Sequence, residues 1–352
     1  MSRLPTQDLD HILNHTRELW EDLRGRAIFL TGGTGFVGKW LLESLLWAHD
    51  KLDLRIRVVV LTRNPGGFCE KAPHLTGHPA VRLLGGDVVG FDYPEGQYPF
   101  VIHAATEPSF EPDTMHPLGA FNSDAEGTRS VLEFARTHGV RRLLFTSSGA
   151  VYGKQPSQMT HFPEDYAGAP STTDTDSAYG HSKRVSEFMC AMYGRACGFD
   201  ATIARLFTFV GPLLPLDAHY AVGNFIRDAL GGGPVRIAGD GTPYRPYLYA
   251  ADLAIWLWTI LFLGKAAYPY HVGSPNDLTI ADLARTVARV TSPGTAIEIA
   301  RQSVPGARPL RYVPRTERAQ QELGLRPTIS LEEGIHRTAE WHRTRLRANL
   351  EK

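Results

Sequence analysis

Cysteine is scarce in this sequence, and its scarcity argues against two kinds of site. The chain of 352 residues contains only Cys69, Cys190 and Cys197. An odd number of widely spaced cysteines favours neither a disulfide framework nor a zinc site. We therefore expect a reducing compartment and no bound metal.

Net charge and long apolar runs are also missing. The 37 basic and 37 acidic residues cancel, so there is no electrostatic reason to expect nucleic acid or an anionic membrane as a partner. The longest apolar run, 253–264, falls short of the roughly 20 residues of a membrane-spanning helix, and we interpret it as a buried helix with Trp256 and Trp258 in the core. The polar N-terminus is typical of neither a signal peptide nor an anchor. We expect a cytoplasmic protein.

Short β-rich runs alternate with helical patterns through the first half of the chain. Such alternation predicts an α/β protein with a Rossmann-type, doubly wound parallel sheet that helices cover on both faces. Ligands bind beyond the carboxyl ends of the strands in such sheets. The predicted strands cover 27–33, 56–63, 81–88, 100–106 and 141–148, and helices are predicted over 36–49 and 124–138.

Beyond about residue 205 the sequence becomes rich in Gly, Pro and Arg, which predicts a smaller, loop-rich α+β lobe at the C-terminal end that closes over the sheet. Helices are predicted over 247–263, 279–290 and 330–346, and a strand over 270–274 indicates one return to the first lobe. The predicted division is a helical extension over 1–25, a dinucleotide-binding domain over 26–210 with a return segment at about 246–274, and a substrate lobe over 211–245 and 275–352.

A glycine-rich loop lies between the first predicted strand and the first predicted helix. In FLTGGTGFVGKW, Gly35 and Gly38 combine with either Gly32 or Gly33 in a dinucleotide-binding spacing. Such a loop provides a tight turn, a close backbone approach to pyrophosphate and a helix N-terminus that faces the anion. The expected cofactor contacts are Gly32, Gly33, Gly35, Phe36, Val37 and Gly38.

The second strand bears on the choice between NAD and NADP. It ends in Thr62 and Arg63, where NAD-binding proteins usually carry an acidic residue for the ribose hydroxyls. An arginine there pairs with a 2′-phosphate and stacks on adenine, which favours NADP. NAD stays open if Arg63 only lies on the surface. After the third strand, Asp87 is a candidate acceptor for the adenine amino group and Val88 its neighbour, although an Asp at a strand end is also an ordinary turn former.

A tyrosine, a lysine and a serine carry the candidate chemistry. Tyr179 and Lys183 are four residues apart in SAYGHSKRVSEFMC, so a helix places both on one face. An ammonium group and an oxidised nicotinamide nearby would lower the phenol pKa and make Tyr179 an acid or base near neutral pH. Ser148, at the end of a strand, is placed to hydrogen-bond the same substrate oxygen.

These residues make the chain resemble an extended short-chain dehydrogenase/reductase of the nucleotide-sugar epimerase/dehydratase family. TGGTGFVG, VIHAAT, FNSDAEGT, FTSSGAVYG and YGHSK match its successive motifs in order, and the similarity covers about 26–345. The resemblance implies NAD(P)-dependent hydride chemistry on a nucleoside-diphosphate sugar, in polysaccharide or glycoconjugate biosynthesis. It also implies a homodimer that packs through the helix of Tyr179 and the helix after Asn122.

The resemblance also implies residue roles. Tyr179 becomes the acid/base, Lys183 holds the cofactor ribose and tunes Tyr179, and Ser148 orients the reacting hydroxyl or carbonyl. The remaining expected contacts are His103, Ala104, Ala105 and Asn122 toward the cofactor, and Asn224, Arg245 and Arg311 toward the substrate diphosphate.

The two residues after Ser148 separate the possible reactions. The family's common dehydratases carry an Asp-Glu pair there and its sugar-acid decarboxylases a glutamate, whereas Gly149 and Ala150 transfer no proton. Hydride transfer at a carbinol needs neither, so we expect a 4-epimerase or a 4-keto reductase. A 4,6-dehydratase stays open if another loop supplies the acid or base; the candidates are Glu107, Glu164, Asp165 and His219. A non-catalytic NAD(P)-binding protein is a remote alternative, because Tyr179, Lys183 and Ser148 are all present.

Overall fold

A seven-stranded parallel sheet forms the centre of the protein. The structure, a computed structural model, describes residues 3–106, 117–218 and 220–350. The strands are β1 (Ala27–Thr31), β2 (Arg57–Thr62), β3 (Val81–Gly85), β4 (Phe100–His103), β5 (Arg142–Ser148), β6 (Asp200–Leu206), β7 (Phe209–Val210), β8 (Val235–Ile237), β9 (Tyr244–Pro246), β10 (Leu248–Tyr249), β11 (Pro269–Val272), β12 (Asp277–Thr279) and β13 (Ile297–Ile299).

Helices connect most of these strands. They are α1 (Thr6–Thr16), α2 (Phe36–Leu52), α3 (Pro65–Lys71), α4 (Pro73–Thr76), α5 (Pro117–Thr137), α6 (Ala178–Cys197), α7 (Ala221–Leu230), α8 (Ala250–Leu263), α9 (Ile280–Thr291), α10 (Glu317–Leu323) and α11 (Leu331–Leu350). Short 3-10 helices cover Arg17–Leu23, Gly149–Tyr152 and Thr175–Ser177.

The strand order places the predicted loops at one edge of the sheet. The order is β11-β6-β5-β4-β1-β2-β3, and every neighbouring pair is parallel. The order reverses between β1 and β4, where open α/β sheets bind their ligands. The predicted doubly wound parallel sheet is therefore confirmed, and its five expected strands correspond to β1 to β5.

Alternating side chains of the strands build two cores, one on each face of the sheet. In β1, Ile28 and Leu30 join the larger core with α1, α2 and α8, whereas Ala27 and Phe29 join the core with α5 and α6. This alternation follows from the two-residue period of a strand. The predicted apolar helix is α8, and its Trp256 and Trp258 are buried as expected. Among the described residues, no helix has both the length and the apolarity to span a bilayer.

The C-terminal part adds small sheets and helices beyond the carboxyl edge. Strand β7 pairs with β10, β8 with β13, and β9 with β12. Helices α7, α9 and α11 pack on one another beside these pairs. Because β11 belongs to the central sheet and β12 to a small one, the chain passes between the two parts more than once.

The first helix is fixed to the last one through a buried carboxylate. Asp8 is fully buried, accepts a hydrogen bond of 2.6 Å from the Tyr249 hydroxyl and lies 2.6 Å from the Arg337 guanidinium. The indole of Trp341 donates to the backbone oxygen of Arg3. The N-terminal residues therefore belong to the packed core of the protein.

Candidate active site

The glycine loop after β1 leaves no room for side chains at Gly32, Gly33 and Gly38. Gly32 has a positive φ of 72°, and a Cβ on it would lie 2.4 Å from the backbone of Ala104. A Cβ on Gly38 would lie 2.1 Å from the carbonyl oxygen of Gly32. Gly35, by contrast, has no atom closer than 3.4 Å to a Cβ and precedes the first residue of α2. The loop therefore presents bare backbone and a helix N-terminus, which fit a pyrophosphate.

A hydrogen-bonded pair joins β1 to β4 beside this loop. Nδ1 of the buried His103 lies 2.8 Å from the Thr31 hydroxyl, and its Nε2 lies 3.1 Å from the Thr128 hydroxyl. Burial lowers the pKa of His103 to about 3, so the ring is neutral. The backbone N–H of Ala105 donates to the same Thr31 hydroxyl. His103 thus fixes the loop that carries Ala104 and Ala105 against the glycine loop.

Other expected cofactor residues border the same edge of the sheet. Arg63 is exposed just after β2, and it interacts with at least one other residue of the protein. Asp87 accepts the N–H of Val89 in a turn after β3, and Val88 packs on Gly127 of α5. Phe36 and Val37, in the first turn of α2, pack against the larger core.

Asn122 is exposed on α5, whereas Asp124, two residues later, is buried. The expected contact of Asn122 with the cofactor stays a prediction. Asp124 precedes Thr128 by four residues, so both share the helix face that meets the sheet. The four-residue spacing between Asp124 and Thr128 was the signal in the sequence that could have identified Asp124, a residue that the sequence analysis did not select.

Helix α6 places Tyr179 and Lys183 on one face, as their spacing predicts. The Lys183 ammonium lies 5.6 Å from the centre of the Tyr179 ring and 3.7 Å from Oδ2 of Asp124. Asp124 also accepts hydrogen bonds from the hydroxyls of Ser182 and Thr106. Burial lowers the pKa of Lys183, and the Asp124 carboxylate opposes this effect.

Ser148 forms the other side of the site. The Tyr179 hydroxyl is hydrogen-bonded to Ser148, and the Ser148 oxygen accepts the N–H of Ala150 at 3.1 Å. The two segments meet closely because Gly180 follows Tyr179: a Cβ at Gly180 would lie 2.6 Å from the carbonyl oxygen of Ala150.

The electrostatics of Tyr179 differ from the expectation. Burial and then the charge of Asp124 raise the pKa of Tyr179 above its ordinary value, while the hydrogen bond to Ser148 lowers it. The protein's own groups therefore shift this pKa in the direction opposite to that expected from the Tyr179–Lys183 pair.

The space beside Gly149 is filled by two aromatic side chains that sequence reasoning missed. A Cβ on Gly149 would lie 2.6 Å from the Tyr312 hydroxyl and 2.7 Å from the Phe207 ring. The Tyr312 hydroxyl lies 3.5 Å from the Ser148 hydroxyl. The signals in the sequence were that Tyr312 follows Arg311 and begins the run YVPRTERAQQELG, which resembles a substrate-lobe motif of the family; 164 residues separate Tyr312 from Ser148.

The two expected substrate arginines have different surroundings. Arg245, on β9, lies 5.8 Å from the centre of the Tyr312 ring, and no described carboxylate is within ion-pair distance of it. Arg311 forms an ion pair with Asp277 and stacks on Tyr244 at 4.0 Å. Arg245 is therefore the better candidate for an anionic ligand.

The remaining polar candidates are scattered. Asn224, in the first half of α7, accepts a hydrogen bond from the Arg227 guanidinium.

Glu164 is buried, and its Oε1 has no hydrogen-bond partner among the described residues. This oxygen lies 3.9 Å from Nδ1 of His271, whose ring packs on the Phe207 ring at 5.1 Å. Phe207 also contacts Tyr312 at 4.8 Å between ring centres, so its ring lies between the Glu164–His271 pair and Tyr312. Asp165 is exposed. Glu107 and His219 lie outside the described residues.

One group of side chains in the described part of the chain has the proximity of metal ligands. It consists of His49 and Asp50, near the C-terminal end of α2, and His78, which precedes β3. Nδ1 of His49 accepts the N–H of Ile56, and Nδ1 of His78 accepts the N–H of Ala80. Both Nδ1 atoms are therefore used as acceptors of backbone N–H groups.

Most of this chain is similar in sequence to known proteins. The profile of the NAD dependent epimerase/dehydratase family matches residues 28–273, more than half of the chain. UDP-glucuronic acid decarboxylase 1 from Arabidopsis thaliana is 30% identical over 319 residues, which cover 91% of this chain and 70% of that protein.

Two solved structures have the same architecture. A dTDP-glucose 4,6-dehydratase from Streptomyces venezuelae, solved with NAD and TYD bound, is 26% identical with a TM-score of 0.75, covering 90% of this chain and 97% of that one. A UDP-galactose 4-epimerase is 28% identical with a TM-score of 0.70, covering 91% and 99%.

Proposed function

The chain belongs to the NAD-dependent epimerase/dehydratase family, and within it we propose a 4-epimerase or 4-keto reductase of a nucleoside-diphosphate sugar. One observation carries this proposal. Ser148, Tyr179 and Lys183 meet at the edge of the sheet, while the residues after Ser148 are Gly149 and Ala150, which transfer no proton. Such a site has the groups that a carbinol–ketone interconversion needs and lacks a local acid or base for elimination.

The residues that would hold a dinucleotide are those of the glycine loop and its neighbours. The bare backbone at Gly32 and Gly35 and the N-terminus of α2 suit the pyrophosphate. Lys183, with its ammonium buried under Tyr179, suits the ribose hydroxyls. When bound, NAD(P) supplies the hydride acceptor or donor for the sugar carbon.

Tyr179 is the proposed acid/base. With the carbinol oxygen between Tyr179 and Ser148, the phenolate takes the hydroxyl proton as the carbinol becomes a ketone, and the phenol returns it in the reverse step. Ser148 donates to the oxygen and holds it beside Tyr179. Lys183 keeps a positive charge within 5.6 Å of the phenol ring, which favours the phenolate, and Asp124 holds Lys183 in place.

Arg245 is the proposed contact for the diphosphate. Its guanidinium is half-buried beside Tyr312, and burial lowers its pKa, as expected for a cation held out of water without a described carboxylate partner. A diphosphate would satisfy it. Arg311 would reach the same anion only by leaving Asp277, and Asn224 is a weaker candidate.

Decarboxylation of a sugar acid is the second candidate, because the curated relative that is 30% identical is a UDP-glucuronic acid decarboxylase. Gly149 and Ala150 favour the first candidate over this one. Dehydration would need an acid or base from elsewhere, and Phe207 lies between Glu164's partner His271 and the Tyr312 side of the site.

The test combines the retained cofactor with product analysis. Purified protein is denatured, the released nucleotide is identified by mass, and the native protein is incubated with UDP-glucose and with UDP-glucuronic acid. About one oxidised cofactor per subunit and conversion of UDP-glucose to its 4-epimer would support an epimerase. Empty protein that binds NADPH reversibly would support the keto reductase. Release of carbon dioxide from UDP-glucuronic acid would overturn the proposal in favour of decarboxylation.

The same mass measurement decides between NAD and NADP. We propose NADP on the basis of Arg63, which is exposed at the end of β2 where an adenosine 2′-phosphate would lie. A retained nucleotide without the 2′-phosphate would overturn this preference.

We also propose a homodimer. Leu118 on α5 and Val185, Phe188 and Met192 on α6 are exposed apolar side chains, and the last three are spaced for one helix face. Helices α5 and α6 pack side by side, so a second copy of the chain could bury this stripe in a four-helix contact. Light scattering with size-exclusion chromatography would give twice the chain mass; a monomer would contradict the proposal.

A further inference from the structure

A buried ion pair lies beside the segment that carries Ser148, and the proposed reaction does not use it. Glu187 on α6 accepts two hydrogen bonds from Arg205 near the carboxyl end of β6, at 2.8 Å from Nε and 2.6 Å from a terminal nitrogen. The two side chains are only 10% and 11% exposed. A buried pair contributes little net stability, because desolvation offsets the attraction. Its other contacts therefore bear on its role.

The pair holds the chain on both sides of Ser148. One residue earlier, the hydroxyl of the buried Ser147 donates a hydrogen bond to Oε1 of Glu187. At the end of the 3-10 helix that follows Ser148, the hydroxyl of the buried Tyr152 accepts a hydrogen bond from Arg205. The segment with Ser148 is therefore fixed to α6 at one end and to β6 at the other.

Helix α6 carries the carboxylate of this pair on the same face as the proposed reacting groups. Tyr179, Lys183 and Glu187 follow one another at four-residue intervals, so one face of the helix carries all three. At the start of the helix, a Cβ on Gly180 would lie 2.6 Å from the carbonyl oxygen of Ala150. The helix therefore touches the segment at Gly180 and again two turns later at Glu187.

The bond between Glu187 and Ser147 sets the distance between α6 and the end of β5. Ser148 moves with Ser147, because the peptide unit that joins them is planar and rigid. The N–H of Ala150, which donates to the Ser148 oxygen, belongs to the same segment and cannot fix that oxygen relative to the helix. A loss of the Ser147 contact would therefore let the Ser148 hydroxyl drift away from α6.

We infer that Glu187 is a positioning residue for the proposed reaction. Acting through the Ser147 hydroxyl, it holds Ser148 at hydrogen-bond distance from Tyr179. Arg205 keeps the carboxylate in place and holds the far end of the segment. This inference rests on the proposed function, because that function makes Ser148 and Tyr179 the groups that contact the reacting carbinol.

The test removes the Ser147 hydroxyl and leaves the ion pair intact. In Ser147→Ala, Oε1 of Glu187 still accepts the Nε–H of Arg205, so this buried oxygen keeps a partner. Thr202→Val is the matched control, since it deletes a fully buried hydroxyl on β6 that donates to the backbone oxygen of Leu143 on β5.

Kinetics are measured, with NAD and NADP added, on whichever of UDP-glucose and UDP-glucuronic acid the wild type converts. Ser147→Ala should lower kcat on the order of 10-fold, since a misplacement of about 1 Å can cost about 10²-fold. KM should change less than about twofold, because the residues proposed to bind the diphosphate are unaltered. Thr202→Val should change neither constant. In Ser148→Ala protein, adding Ser147→Ala should lower kcat less than about twofold further, since the group that it positions is gone.

Three results would overturn the inference while the wild type is active: no change of kcat in Ser147→Ala, the same fall in Thr202→Val, or an equal fall with and without the Ser148 hydroxyl. A wild type that converts neither sugar nucleotide would instead remove the proposed function, and the inference with it. Thermal unfolding of Ser147→Ala and Thr202→Val, expected at similar temperatures, excludes a general folding defect as the cause of a lower kcat.

Discussion

The two halves of the proposed site are built in different ways. The proposed cofactor half consists of consecutive residues and bare backbone: Gly32 to Gly38 follow β1 directly, and Gly38 has no room for a Cβ. The proposed substrate half brings together side chains from distant segments, such as Ser148 at the end of β5, Phe207 after β6 and Tyr312 before α10. Related proteins can therefore keep one type of reaction, which depends on the first half, while changes in the second half alter the substrate.

The halves also differ in how tightly charge is compensated. On the cofactor side, the buried Lys183 ammonium is matched by the buried Asp124 carboxylate. On the substrate side, Arg245 has no described carboxylate within ion-pair distance. A compensated pair suits a fixed structural role, whereas an uncompensated guanidinium suits a ligand that brings its own negative charge.

The largest effect should come from adding a side chain to the glycine loop of the cofactor half. In Gly38→Ala, the new Cβ would lie 2.1 Å from the backbone oxygen of Gly32, so the loop must shift. We expect loss of the retained cofactor and of all turnover, and a free energy of unfolding lower by about 1–3 kcal/mol. Gly239→Ala, where a Cβ meets open space, is the control. Full cofactor content in Gly38→Ala would show that the loop does not hold it.

Removing the acid/base should abolish catalysis and leave the cofactor half intact. Tyr179→Phe deletes one hydroxyl, and the rate should fall about 10²- to 10⁴-fold, the usual contribution of a positioned acid or base. The retained cofactor should stay at the wild-type level, because the backbone of the glycine loop is unchanged. Turnover and nucleotide content are measured on the same preparation. A variant with wild-type turnover is incompatible with the catalytic assignment.

Adding a methyl group at Gly149, in the substrate half, should impair the use of substrate and leave the binding of cofactor unchanged. Gly149→Ala forces Tyr312 and Phe207 away from Ser148, since the Cβ would lie within 2.7 Å of both. We expect kcat/KM for the sugar nucleotide to fall on the order of 10- to 100-fold through misplacement of the reacting groups, with the cofactor retained. If Gly149→Ala instead loses cofactor as Gly38→Ala does, the division into two halves is wrong.

The smallest effect should be a shift in pH dependence. The negative charge of Asp124 raises the pKa of Tyr179, so Asp124→Asn should lower that pKa. The acid side of the pH–rate profile for carbinol oxidation should then move to lower pH, because less alkali is needed to form the phenolate. The exposed Asp200→Asn, at the amino end of β6, is the control. A shift to higher pH would mean that Lys183 has lost its proton instead.

The local fold of the proposed cofactor half was predictable from the sequence because its signals are local. A strand, a glycine loop and a helix follow one another, and Tyr179 and Lys183 are related by one helical repeat. The central sheet followed from the alternation of strands and helices. The expected contact of Asn122 with the cofactor stays a prediction, whereas the helical period selects the buried Asp124 on the same helix.

The substrate half was less predictable because contacts between distant segments decide it. Nothing near Tyr312 in the sequence indicates that its hydroxyl lies beside Ser148, 164 residues away. Arg245 and Arg311 look alike as loop arginines, and only the ion pair of Arg311 with Asp277 separates them. The sequence also gave no sign that burial and the charge of Asp124 raise the pKa of Tyr179.

The buried pair of Asp8 and Arg337 has a consequence for the timing of folding in the cell. These residues are 329 positions apart, and at about 5–20 residues per second a ribosome needs roughly 16–66 s to make the second after the first. Throughout that interval the carboxylate of α1 lacks its cation, so α1 cannot complete its docking. The N-terminal helix, although it is made first, should therefore be among the last elements to become protected from proteases during synthesis.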